Sequence, residues 1–248
     1  MKRNIKLTIA YDGTDYCGWQ RQENARTIQG EIETVLKKMH GHPVSLIGSG
    51  RTDSGVHAAG QAANFFTDIE SIPPRKFTQA LNSLLPADIR VLESCEADDN
   101  FHARFSAKAR VYRYQFKNSL TPAENRYFLR LNRFPRLDLL NAYGRNLLGE
   151  TDCAIFAGAG DSSLFAGKST NRYIYNSYFY IEKNTLIFEI RANAFLRNMV
   201  RSVAGTFLHY EQTETPPEKL REIIMTKDRS LAGPTLPPAG LFLWQVEF

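Results

Sequence analysis

Cysteine is scarce. The 248 residues hold three, Cys17, Cys95 and Cys153, odd in number and widely scattered. They build neither a disulfide framework nor a C-x-x-C pair, which argues against structural zinc and suits a reducing compartment. Long apolar runs are missing too: none approaches the ~20 residues of a membrane span. The opening "MKRNIKLTIAYDGT" lacks the apolar core and small-residue cleavage site of a signal peptide, so the expected location is cytoplasmic. There is no Walker lysine loop, no dinucleotide glycine fingerprint and no zinc-spaced histidine pair. Those gaps point to chemistry run without a bound cofactor or metal.

What is present is a globular composition, 43% hydrophobic and 23% charged, with length enough for one large domain or two of ordinary size. The formal charge is +5, from 31 Lys and Arg against 26 Asp and Glu. A modest basic excess suits a polyanionic partner without requiring one.

Periodicity outlines the elements. "IKLTIAY" alternates as a strand, and Thr27 is placed to cap a helix with Ile28, Ile32, Val35, Leu36 and Met39 on one face. A strand is predicted near Pro43 to Ile47, another in "GQAANFFTD", a helix opened by Pro73 and Pro74 with Phe77, Ala80, Leu81 and Leu84 inward, and a strand in "IRVLESCEA". A second unit begins near Ser106. It holds the strand "AKARVYRYQFK", a helix in "RLDLLNAYGRNLLGE" closed by Gly149, and a mobile loop in "FAGAGDSSLFAGK". A hairpin turning at Lys183-Asn184, a helix from Phe195 to about Tyr210, a shorter one from Pro217 to Met225 and a last strand in "GLFLWQVEF" follow. The predicted class is α+β, mainly antiparallel, with helices on one face and two related halves, 1–105 and 106–248.

Four places could carry chemistry. In "GSGRTDSGVHAAGQ", residues 48–61, glycines surround Arg51 and Asp53 and leave room for a ligand. Asp53 reads either as a working carboxylate or as a turn residue bonding its own backbone, and His57 as a base or a structural group. On the strand from Ala107 to Phe116, one face carries Lys108, Arg110, Tyr112, Tyr114 and Phe116. That stripe either stacks a base and holds phosphates, or is an ordinary strand edge. Arg197 and Arg201, four apart on a helix border, could reach a cleft or lie in solvent. "FHARFSAKARVYRY" is the densest basic-aromatic run and, with "GKSTNR" (Lys168, Arg172), the candidate RNA surface. The turn Asp12-Gly13-Thr14 leaves a phosphatase as a further alternative.

Taken in order, "YDGTDYCGWQRQ", "GSGRTDSGVHAAGQ", "FHARFSAKARVYRYQF", "LLGETD", "NAFLRNMVRSVAG" and "AGPTLPPAGLFL" resemble one family, the tRNA pseudouridine synthases of the TruA type, over nearly the whole chain. The resemblance implies a homodimeric, cofactor-free enzyme of two related α/β halves, their sheets joined and an active cleft between them. It implies isomerisation of uridine to pseudouridine at positions 38, 39 and 40 in the anticodon stem-loop of tRNA. By the same resemblance Asp53 is the catalytic aspartate, Tyr112 the active-site tyrosine, Arg201 the basic partner of the aspartate and Arg51 the base-flipping arginine. Phe101, His102, Ala103, Arg104 and Phe105 match an RNA-contacting stretch, with Lys108 and Arg110 beside it. A second reading keeps the scaffold as a tRNA-binding or tRNA-folding protein without turnover.

Overall fold

The computed structural model describes residues 2–165 and 167–248. The chain forms two compact units, one running to Lys108 and resuming at Phe242–Phe248, the other spanning Ala109–Leu241. Both combine a sheet with helices, the α+β class expected from the sequence.

In the first unit β1 (Arg3–Tyr11) is central, and its alternation buries Ile5, Leu7, Ile9 and Tyr11. Full burial of each aliphatic side chain stabilises by ~1.5–3 kcal/mol, enough to fix the strand's register. The helix α1 (Ile28–His40) starts where the Thr27 side chain accepts the Gly30 N–H, and ends at Gly41 with lysines in its last turn. The strand predicted from Pro43 shrinks to β2 (Ile47–Gly48). Helix side chains have taken its ladder partners: Glu33 accepts the Leu46 N–H at 3.0 Å, and Gln29 donates to the Leu46 carbonyl at 2.9 Å. β3 (His57–Thr67) follows. The proline pair then opens a 3₁₀ turn, and only Phe77–Asn82 is α-helical (α2). Leu84 falls past its end and is exposed. β4 (Ile89–Ala97) and β3 both pair antiparallel with β1, at Ile5↔Glu96 and Ile5↔Phe65.

The second unit opens with β5 (Ala109–Lys117), against which β6 (Leu129–Arg130) lies in parallel. α3 (Leu137–Asn146) stops before Gly149, which instead begins β7 (Gly149–Asp152) by pairing with Ile174. A 3₁₀ turn at Ala154–Phe156 leads into the expected loop, which contains the single-turn α4 (Ser162–Phe165). Ala166 of that loop lies outside the described residues. β8 (Asn171–Glu182) and β9 (Thr185–Ala192) form the expected hairpin; Lys183 and Asn184 both have positive φ, as a tight two-residue turn requires. β9 continues onto β5, with Tyr112 opposite Ile190. α5 (Met199–Gln212) and α3 cover one face, packing Tyr143, Phe179, Phe188 and Phe207 together. α6 (Lys219–Thr226) follows.

The last strand, β10 (Leu241–Glu247), returns to the first unit, pairing in parallel with β3 at Phe242↔His57 and Leu243↔Ala58. A linear division at residue 105 does not describe this return. Among the described residues no helix is long and apolar enough to cross a membrane.

Candidate active site

The loop between β2 and β3 carries Arg51 and Asp53. Arg51 is exposed and Asp53 half-buried, while Thr52 between them is buried. The Thr52 hydroxyl lies 2.8 Å from the Tyr11 hydroxyl, and its carbonyl accepts the Trp19 N–H at 3.2 Å. The loop's exit is a turn in which Val56 N–H reaches the Asp53 carbonyl at 3.1 Å. Gly18 passes so close that a Cβ there would sit 2.6 Å from the Thr52 carbonyl oxygen, and its φ of +87° suits only glycine. The blocks "YDGTDYCGW" and "GSGRTDSGVH", far apart in the chain, are therefore one interlocked structure.

His57 is fully buried. Its Nδ1 accepts the Gly13 N–H at 3.1 Å, and its ring stacks on Phe242 at 4.7 Å. This is a structural histidine. The Asp12 carboxylate accepts the N–H and hydroxyl of Thr14 at 3.0 and 2.6 Å, an Asx turn, which accounts for the Asp-Gly-Thr signal without a phosphatase. Among the described residues no three of His, Cys, Asp and Glu are grouped as metal ligands.

In the second unit Tyr112 is buried with its ring set edge-on to Phe195 at 5.0 Å. Arg201 rises from the first turn of α5. Its Nε donates to the Leu236 carbonyl at 2.6 Å and its Nη1 to Asn198 Oδ1 at 2.9 Å, two bonds that set the plane of the guanidinium. The helix begins four residues later than expected because Asn198 is left-handed, with φ of +60°. Arg197 consequently sits in the preceding turn, its N–H held by the Asp161 carboxylate at 2.5 Å, rather than on a shared border with Arg201.

The aromatic stripe of β5 is mostly core. Tyr114 and Phe116 are fully buried, and the Tyr114 hydroxyl donates to the Pro237 carbonyl; burial pushes that phenol well above its usual pKa. Tyr112 meets Phe195, while the Tyr114 phenol lies within electrostatic reach of Arg201. Of the two readings left open for this stripe, burial selects the structural one for Tyr114 and Phe116.

The candidate RNA residues divide by exposure. Phe101 packs on Phe248, with Lys6 over both rings. His102 Nδ1 accepts the Arg104 N–H at 3.2 Å. Ala103 is fully buried and donates its N–H to Asn64, so it anchors the turn and offers no side chain outward. The turn thereby thrusts out Arg104 and Phe105, the latter 77% exposed. Lys108 and Lys168 are exposed, and Arg110 donates to the Asn193 carbonyl at 2.8 Å. Arg172 curls back onto the carbonyls of Ser169 and Asn171, which turns its guanidinium toward its own backbone.

Tyr11, Trp19, Gln61, Asn198 and the Leu236 carbonyl were not singled out from the sequence, although each holds a functional candidate in place. The one available signal was their inclusion in, or adjacency to, the ordered blocks.

The sequence has counterparts among known proteins. The family model described as tRNA pseudouridine synthase matches residues 7–106 and 145–248. The tRNA pseudouridine synthase A of Treponema denticola is 49% identical over the whole of this chain and 93% of its own length. Those of Caldicellulosiruptor bescii and Exiguobacterium sp. are 45% and 39% identical over 99% of this chain, and over 100% and 98% of their own lengths. With both the loop of Asp53 and the helix of Arg201 inside the matched residues, the chain belongs to the tRNA pseudouridine synthase family.

Proposed function

We propose that this protein isomerises uridine to pseudouridine in the anticodon stem-loop of tRNA, at positions 38, 39 and 40, with Asp53 as the acting carboxylate. The observation that carries this reading is the anchored loop that presents Arg51 and Asp53 outward on either side of a buried Thr52, in a chain of this family.

The reaction breaks the C1′–N1 bond, turns the uracil and joins C1′ to C5, with the C5 proton leaving to solvent and N1 taking one up. It consumes no second substrate and changes no oxidation state. One ionised carboxylate serves it, as nucleophile or as the anion that accompanies the detached base. The target base must first leave its stack at a cost of a few kcal/mol. Arg51, exposed on the loop, fills the space it vacates. Arg201 supplies the basic group of the reaction, its guanidinium plane set by Leu236 and Asn198. Tyr112 stacks on the uracil and passes on the C5 proton. Arg104, Phe105 and Lys108 hold the RNA backbone and stack on an unpaired base. The protein works in the cytoplasm, where its substrate is.

Tritium release from tRNA labelled at uracil C5 measures the reaction directly. The expected result is stoichiometric release with pseudouridine mapped to positions 38–40, in the presence of chelator. Tight tRNA binding without any release, even with enzyme in excess, would mark a non-catalytic binding protein instead.

We also propose a homodimer. The outward face of β8 carries Tyr173, Tyr175 and Tyr178, all exposed, with Arg191 over the Tyr175 ring. Exposed aromatic rings grouped along one strand mark an interaction surface. Sedimentation equilibrium is expected to give the mass of two 28.2 kDa chains, and the paired change Tyr175→Glu and Tyr178→Glu to give one. A wild-type mass of one chain at micromolar concentration would end this assignment.

A further inference from the structure

We propose that Thr52, held by the Tyr11 hydroxyl and supported by the Gln61 amide, is the positioning residue that sets the reach of both Arg51 and Asp53, acting on the chemical step and not on tRNA binding. This rests on the role given to Asp53 above.

The loop touches the sheet beneath it at three points. The Ser49 hydroxyl donates to Gln61 Oε1 at 2.7 Å, the Gln61 amide donates to the Gly50 carbonyl at 3.0 Å, and Thr52 meets Tyr11 at 2.8 Å. All four side chains are buried, with exposures of 1% for Ser49, 6% for Thr52, 4% for Tyr11 and 0% for Gln61. Tyr11 ends β1 and Gln61 lies in β3, paired at Ile9↔Gln61, so the anchors belong to the rigid centre of the first unit. Burial raises the Tyr11 phenol, while its bonds to Thr52 and Gln61 partly offset that; the hydroxyl stays protonated at any working pH.

Thr52 is buried between an exposed Arg51 and a half-buried Asp53, so the anchor lies one residue from each and fixes the backbone that carries both. Its carbonyl is fixed as well, by the Trp19 N–H. A displacement at Thr52 would move the base-flipping arginine and the carboxylate at once. Substrate contacts elsewhere would remain. Misplacement of a reacting group by about 1 Å can cost on the order of 10²-fold in rate, so even partial release of this anchor is measurable.

Thr52→Val removes the hydroxyl and keeps the shape; Thr52→Ser keeps the hydroxyl. Thr52→Val is expected to lower kcat on tRNA by about 10- to 100-fold with KM within about twofold, whereas Thr52→Ser stays within about threefold of wild type. Tyr11→Phe is expected to lose at least as much as Thr52→Val, and the double variant to be no worse than Tyr11→Phe alone, since both remove the hydrogen bond that they share. A Thr52→Val enzyme with wild-type kcat, a loss carried by KM, or an equal loss in Thr52→Ser would each overturn the assignment. Asp53→Asn is assayed in parallel. If it turns over, the role of Asp53 itself is wrong; if it is dead while Thr52→Val is normal, only the positioning role is lost.

Discussion

Replacing Asp53 by Asn is expected to lower the rate of pseudouridine formation by on the order of 10³–10⁴-fold while leaving tRNA affinity within about threefold. The substitution is close to isosteric. Asp53 is half-buried and its backbone carbonyl closes the turn with Val56. The loop should therefore keep its shape, because Thr52, Ser49 and Gly50 hold it from below. What changes is the chemistry. An amide carries no negative charge to accompany a detached base and is too weak a nucleophile to attack one. Because the RNA contacts assigned to Arg104, Phe105 and Lys108 lie elsewhere, binding and turnover should separate. Single-turnover rates with enzyme in excess, set beside filter-binding isotherms, distinguish the two. Turnover above a hundredth of wild type would remove Asp53 from the catalytic role.

The loop of Asp53 stood out in the sequence because it lies within blocks that occur in one order. Its support did not. Tyr11 and Thr52 are 41 residues apart, and nothing local announces that their hydroxyls meet. The same holds for Gln61, an amide in a strand otherwise rich in alanine and phenylalanine. Periodicity located the regular elements where burial alone decides them, as in β1 and α1. It failed where a side chain replaced a backbone partner, as Glu33 and Gln29 do for Leu46. It failed again where a left-handed residue interrupted an apolar pattern, as Asn198 does before α5. The β5 stripe stayed open between two readings for a third reason: alternation separates two faces without saying which one the helices cover.

Gly205 offers the largest expected effect on stability, and intrinsic propensity predicts it with the wrong sign. It lies inside α5, where alanine is favoured over glycine by ~1 kcal/mol. Yet a Cβ at this position would stand 1.8 Å from the Pro234 carbonyl oxygen and 3.0 Å from its carbon. The obstacle is backbone, part of a strap that has little freedom to retreat. Gly233 donates its N–H to Thr206 Oγ1 at 3.0 Å, Thr235 meets Ser202 at 2.9 Å, and Arg229 holds the Gly233 carbonyl at 2.9 Å. Overpacking of this kind costs about 1–3 kcal/mol or more, which exceeds the helical gain. Gly205→Ala is therefore expected to destabilise by about 2 kcal/mol net and to lower Tm by ~4–8 °C in calorimetry. The same strap supplies the Leu236 carbonyl that orients Arg201. Displacing it should lower kcat well below the melting range, beyond what the unfolded fraction accounts for. A variant that melts at or above the wild-type temperature with unchanged kcat would mean that the strap yields freely and that Arg201 is oriented by Asn198 alone.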